Sequence, residues 1–150
     1  MWDSSLKRRS RFLAFLAAPI VIACSSGPPT PVDIAPDDMC QRCKMVISEK
    51  RLAAEFLDQE RSVYKFDDIS CMVHVLKNRS DKSPVTAVFV TDFDSGVWLR
   101  ADEASFVWSA QLKTPMGGGA AAFKDYSRAE AAAAGYQGRV MRYAELERVF

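Results

Sequence analysis

Two thiols and two thioethers fall within seven residues of "DMCQRCKMVIS", residues 38–48: Met39, Cys40, Cys43 and Met45. The two-residue gap of Cys-x-x-Cys lets both sulfurs converge on one ion from a single loop. Zinc takes thiolate and imidazole and has little use for a thioether, whereas thiolate and thioether together select Cu(I). Met45, two positions past Cys43, would put its sulfur on the same side as Cys43 in a strand. The pattern thus points to a soft-metal site on Cys40, Cys43 and Met45, with Met39 beside it. Cys-x-x-Cys is also shared by redox dithiols and zinc proteins, so a thiol–disulfide role, a structural disulfide and a zinc site stay open as alternatives.

Three further residues could contribute. Cys71 and His74 are three apart in a helical segment and share a face. Cys71 is otherwise a small buried hydrophobe, and His74, the single histidine, a surface residue. Met116 stands in the glycine run "PMGGG" rather than on an apolar stripe, which suits a ligand or gating role. The acidic pairs Asp67-Asp68 and Asp92/Asp94 read as helix caps and turns. No nucleophile elbow, phosphate-cradling Gly-Lys-Ser/Thr loop or His-Glu-x-x-His stands in the chain, so the reading is a non-enzyme.

These residues must be positioned by a domain of modest size. The 150 residues are 49% hydrophobic, enough for one compact domain or two small subdomains. Net charge is +1, with no basic stripe interleaved with aromatics, which argues against a nucleic-acid partner. Lys7, Arg8, Arg9 and Arg11 precede the apolar run "FLAFLAAPIVIAC", the pattern of an export signal over 1–23. The run ends Val21-Ile22-Ala23-Cys24, a lipobox in which Cys24 is lipidated and acyl chains anchor the protein to a membrane. Residues 24–36, rich in proline, read as a flexible tether, and 37–150 as the metal-binding domain. The expected location is the periplasm, on the outer membrane of a Gram-negative host.

Hydrophobic period gives strands over 45–49, 52–57, 62–66, 84–93, 97–99, 106–109 and 139–143, and helices over 67–77, 127–135 and 144–150. Asp67 or Asp68 caps the first helix. Ser127 with Glu130 forms a capping box for the second, and Gly135 stops it. "FDDIS" (66–70) and "FKDYS" (123–127) share Phe-x-Asp-x-Ser, each between a strand and a helix. That echo predicts an α+β fold of two small ββαβ units packed together.

The lipobox cysteine, "DMCQRCKMVIS", "YKFDDISCM" and "TPMGGGAAAF", in this order, resemble the NosL family of copper-binding lipoproteins associated with nitrous-oxide reductase maturation. The resemblance spans 37–150. It implies a membrane-tethered periplasmic Cu(I) metallochaperone whose client is a copper enzyme, nitrous-oxide reductase by the family name. It implies a fold similar to organomercury lyase, which also brings a lyase-like activity into view as a weak alternative. It implies Cys40, Cys43 and Met45 as ligands, with Met116 matching the Pro-Met-Gly motif. Lys44 departs from the pattern, since many members have Gly there.

Overall fold

The computed structural model describes residues 27–80 and 83–150. The export signal and Cys24 lie outside the described residues. Among the described residues, seven strands and three helices follow one another: β1 Ala54–Asp58, β2 Val63–Phe66, α1 Ile69–Asn78, β3 Val85–Thr91, β4 Trp98–Arg100, β5 Ser105–Trp108, β6 Ala120–Phe123, α2 Tyr126–Gly135, β7 Arg139–Met141 and α3 Tyr143–Leu146. They build two antiparallel sheets, ordered β2-β1-β3-β4 and β6-β5-β7.

The faint sequence echo is a real repeat of topology. In each half the first strand is central, the second pairs on one side, and the third returns after a helix to the other side. Phe66 and Phe123 end equivalent strands, both buried, and the two Phe-x-Asp-x-Ser motifs turn each chain into its helix. Burying such a ring is worth roughly 2–3 kcal/mol. The sheets join where the Phe93 N–H donates to the Ala122 carbonyl at 2.8 Å, beside a parallel bridge between Asp92 and Ala122.

Several local expectations are corrected. Residues 45–49 form no strand: Met39 and Val46 make one isolated bridge, and a single 3-10 turn at Lys50–Leu52 follows. Lys44 takes a left-handed φ of 62°, which folds the segment back on itself. The Ser127–Glu130 capping box does not form, because α2 starts a residue earlier with Asp125 at its N-cap. Gly135 does not stop α2 by itself. The left-handed residue is Gln137, φ 51°, with Gly138 N–H on the Ala133 carbonyl and Gln137 N–H on that of Ala134. Residues 120–123, which carry no strand signal of their own, form β6; three alanines are small enough to be buried whole in it. The strand expected over 139–143 ends at Met141, and the last helix keeps only Tyr143–Leu146.

The described part of the proline-rich stretch has no helix or strand, yet its second half is pinned to the domain. Ile34 is buried, the Val32 N–H donates to Glu55 Oε1 at 2.8 Å, and Lys50 and Lys65 donate to the carbonyls of Ile34 and Asp33.

Candidate metal centre

The loop carrying the cysteines is fixed by its own backbone. Cys40 N–H donates to the Met45 carbonyl at 2.8 Å and Lys44 N–H to the Cys40 carbonyl at 3.0 Å, a tight turn that brings Cys40 and Cys43 together. Ile47 N–H closes the base on the Asp38 carbonyl. The turn is then stitched to β2. Gln41 N–H donates to the Lys65 carbonyl at 2.9 Å, and the Lys65 ammonium reaches the Asp38 carboxylate at 2.6 Å. Lys65 lies two residues before Asp67, so this seam sets the cysteine turn against the start of α1.

Four ligand atoms meet there: the sulfurs of Cys40, Cys43 and Cys71 and a carboxylate oxygen of Asp67, all within 4.8 Å of one another. Tetrahedral metal–sulfur bonds of about 2.3 Å need sulfurs roughly 3.8 Å apart, so a modest contraction closes the set on one ion. These three cysteines are free thiols; Cys40 and Cys71 are fully buried and Cys43 half-buried. Cys43 Sγ donates to Asp67 Oδ2 at 3.5 Å, while Asp67 Oδ1 is buried with no partner among the described residues. A buried carboxylate oxygen left unpaired beside three thiols suits a site built for a cation.

The electrostatics are those of a poised ligand set. The Cys71 thiol donates to Cys40 and holds the Cys40 sulfur as thiolate, well below the usual thiol range, while Cys71 itself is pushed up by sharing that bond. Burial, with the Cys40 charge beside it, raises Cys43. Burial and then the Cys40 thiolate raise Asp67 to about 6. A cation within reach is Arg42, whose Nη1 donates to Cys71 Sγ at 3.7 Å.

Asp67 is the ligand candidate that sequence reasoning missed. It is not the cap of α1. Asp68 is, accepting the Ser70 N–H at 2.8 Å. The signal was in the echo: Lys124 stands where the second unit repeats Asp67, so the fold does not need an acid at that place. Cys71, a secondary candidate in the sequence, sits at the heart of the group. His74 does not join it and is exposed on α1. Met39, Met45 and Met116 are 53, 49 and 40% exposed, so none is core. Met39 and Met45 flank the cysteine turn. Met116 sits on a loop held to α1 by Asp68, whose Oδ2 accepts from the Met116 N–H at 3.0 Å and the Thr114 hydroxyl at 2.6 Å.

The fold and site define a small α+β protein with a thiol-rich candidate metal centre at the seam between a loop and a helix start. The model of the NosL family matches residues 31–149, and the chain belongs to that family. Among solved structures it is similar to the copper chaperone NosL from Shewanella denitrificans, with 21% identity and a TM-score of 0.70 over 79% of this chain and 96% of that one. At that identity the likeness speaks for the fold. No curated protein matches the chain. Among the described residues, no helix is long and apolar enough to cross a membrane.

Proposed function

We propose that this chain is a Cu(I) metallochaperone rather than an enzyme, tethered through Cys24 to a periplasmic membrane and delivering copper to a copper enzyme, nitrous-oxide reductase by family. The observation that carries the reading is the convergence of Cys40, Cys43 and Cys71 around one preformed thiolate. Thiolates are the ligands Cu(I) prefers, and a fixed thiolate offers a landing point without waiting for a proton to leave. The anchoring and location rest on the lipobox and the export signal alone.

The geometry also supports an order of exchange. Cys40 and Cys71 are sealed from solvent, while Cys43 is half open on an exposed turn. An incoming ligand of the client meets the ion on the Cys43 side. It replaces Cys43 first, and copper leaves as the two buried sulfurs are displaced in turn. Met45 and Met39, exposed on either side of that turn, supply soft neighbours along the exit.

A second reading is supported by one observation: Asp67 completes a four-donor set, and closed four-ligand sites suit structural zinc. Anaerobic titration against a chromophoric chelator separates the two, with Zn(II) in parallel. The copper reading expects tight 1:1 binding that falls by at least about a hundredfold in Cys40→Ser, more than changes outside the ligand set cause. A preference for zinc, or Cys40→Ser and Cys43→Ser variants that hold copper like the parent, overturns it.

A further inference from the structure

The thiol group leaves two soft donors unused, His74 and Met116, and they line one cleft of about 390 Å³ with Arg42, Trp108, Gly118 and Phe150. We propose that His74 and Met116 form a second, outer station for a soft monovalent ion, separate from the thiol group and one side chain away from it. The inference rests on the soft-metal reading above and extends it.

Three observations build the station. The loop that carries Met116 is pressed onto the first turn of α1. Gly118 has no room for a Cβ, which would stand 2.4 Å from both Cβ and Oγ of Ser70. Ser70 and His74 are one turn apart on the same face of α1, so the loop is laid along the face that presents the imidazole. The loop is also held in that place. Asp68 accepts from the Met116 N–H and the Thr114 hydroxyl, and the Gly119 N–H closes back on Thr114 Oγ1 at 3.1 Å. Gly117 and Gly119 take φ of 69° and 67°, conformations that glycine adopts without strain.

The donors themselves are free to bind. Among the described residues, neither the imidazole nitrogens of His74 nor the thioether of Met116 has a hydrogen-bond partner, and both side chains are exposed. A methionine displayed on a braced glycine loop, opposite an uncommitted histidine, places one nitrogen and one sulfur donor on the walls of one cleft. Two such neutral donors suit Cu(I) or Ag(I), which accept low coordination numbers, and suit hard divalent ions poorly. Arg42 is the partition. It lines the cleft and donates to Cys71 Sγ at 3.7 Å, so an ion in the cleft sits behind the guanidinium that faces the thiols.

The test uses the reduced full-length chain, labelled at the methionine methyls and the histidine ring, and Ag(I) as a redox-inert probe followed by NMR. The first equivalent should perturb the cysteine turn. The second should shift the Met116 methyl and the His74 ring together, and Met116→Leu should abolish the His74 shift, as His74→Ala should abolish that of Met116. Both side chains are exposed, so these variants keep the fold. A second equivalent that leaves both resonances in place, or moves only Met39 and Met45, overturns the outer station. Failure of the first equivalent to reach the cysteines, with Met116 and His74 still shifting, overturns the thiol reading and leaves the station standing.

Discussion

Asp68 is the joint on which the two halves of the site depend, and Asp68→Asn tests that role atom by atom. Its Oδ1 accepts the Ser70 N–H at 2.8 Å and the Ser70 hydroxyl at 2.7 Å; its Oδ2 accepts the Thr114 hydroxyl and the Met116 N–H. The substituted amide keeps one oxygen and gains an NH₂ group. With its oxygen towards Ser70, the amide nitrogen faces the Met116 N–H, donor against donor. Flipped, it faces the Ser70 N–H instead. Either orientation strands one backbone N–H, and a lost bond to a charged acceptor costs about 2 kcal/mol. Asp68→Ala loses the helix cap as well, roughly a further 1 kcal/mol. Urea unfolding should therefore rank parent, Asp68→Asn and Asp68→Ala in descending order. Hydrogen exchange is the sharper assay. The orientation with oxygen towards Ser70 keeps the cap. In that state the Met116 amide should exchange about thirtyfold faster, the factor that 2 kcal/mol implies, while α1 amides beyond the first turn are unchanged. A Met116 amide that exchanges at the parent rate would refute the joint.

Lys44→Gly should stabilise the protein by about 0.5–1 kcal/mol, since glycine relieves the cost of the left-handed φ but adds freedom to the unfolded chain; urea midpoints check it. Glu55 is buried at the centre of the first sheet, and burial lifts its carboxyl from 4.5 to about 7. The folded state therefore holds that proton more tightly than the unfolded chain. The contribution of Glu55 to stability should be fully present below pH 4.5 and fall by about 3 kcal/mol as pH rises through 7, a slope that Glu55→Gln removes in urea unfolding at pH 5 and 8. The metal-free protein should show thiolate ultraviolet absorbance at neutral pH, persisting well below it. Cys40→Ser or Cys71→Ser should each abolish it, because the donor and acceptor of one S–H···S⁻ bond stand or fall together.

The cysteine turn was legible from spacing alone, because Cys-x-x-Cys converges whatever the surrounding structure. The two-unit architecture was legible from Phe66 and Phe123, whose shared motif marks the same strand-to-helix turn in each unit. Cys71 was less so: on a helix face a buried thiol and a ligand thiol look alike until the turn that covers them is placed. Asp67 was hidden by its neighbour, since one of two adjacent acids before a helix is enough to cap it. The strand expected over 45–49 failed because the alternation of Met45, Ile47 and Glu49 says nothing about a partner. The chain spends its pairing capacity on the turn back to Met39 instead. Strand β6 was invisible for the opposite reason. Alanines have little strand preference, and only the space between β5 and α2 selects them.

Copper-edge X-ray absorption, on protein loaded anaerobically with one equivalent of Cu(I), puts the thiol assignment to its hardest trial. Sulfur ligands at about 2.2–2.3 Å are expected around the ion, with sulfur lost in both Cys40→Ser and Cys71→Ser. Coordination dominated by nitrogen or oxygen, or a sulfur count that neither substitution alters, would contradict a copper site built on the converging cysteines.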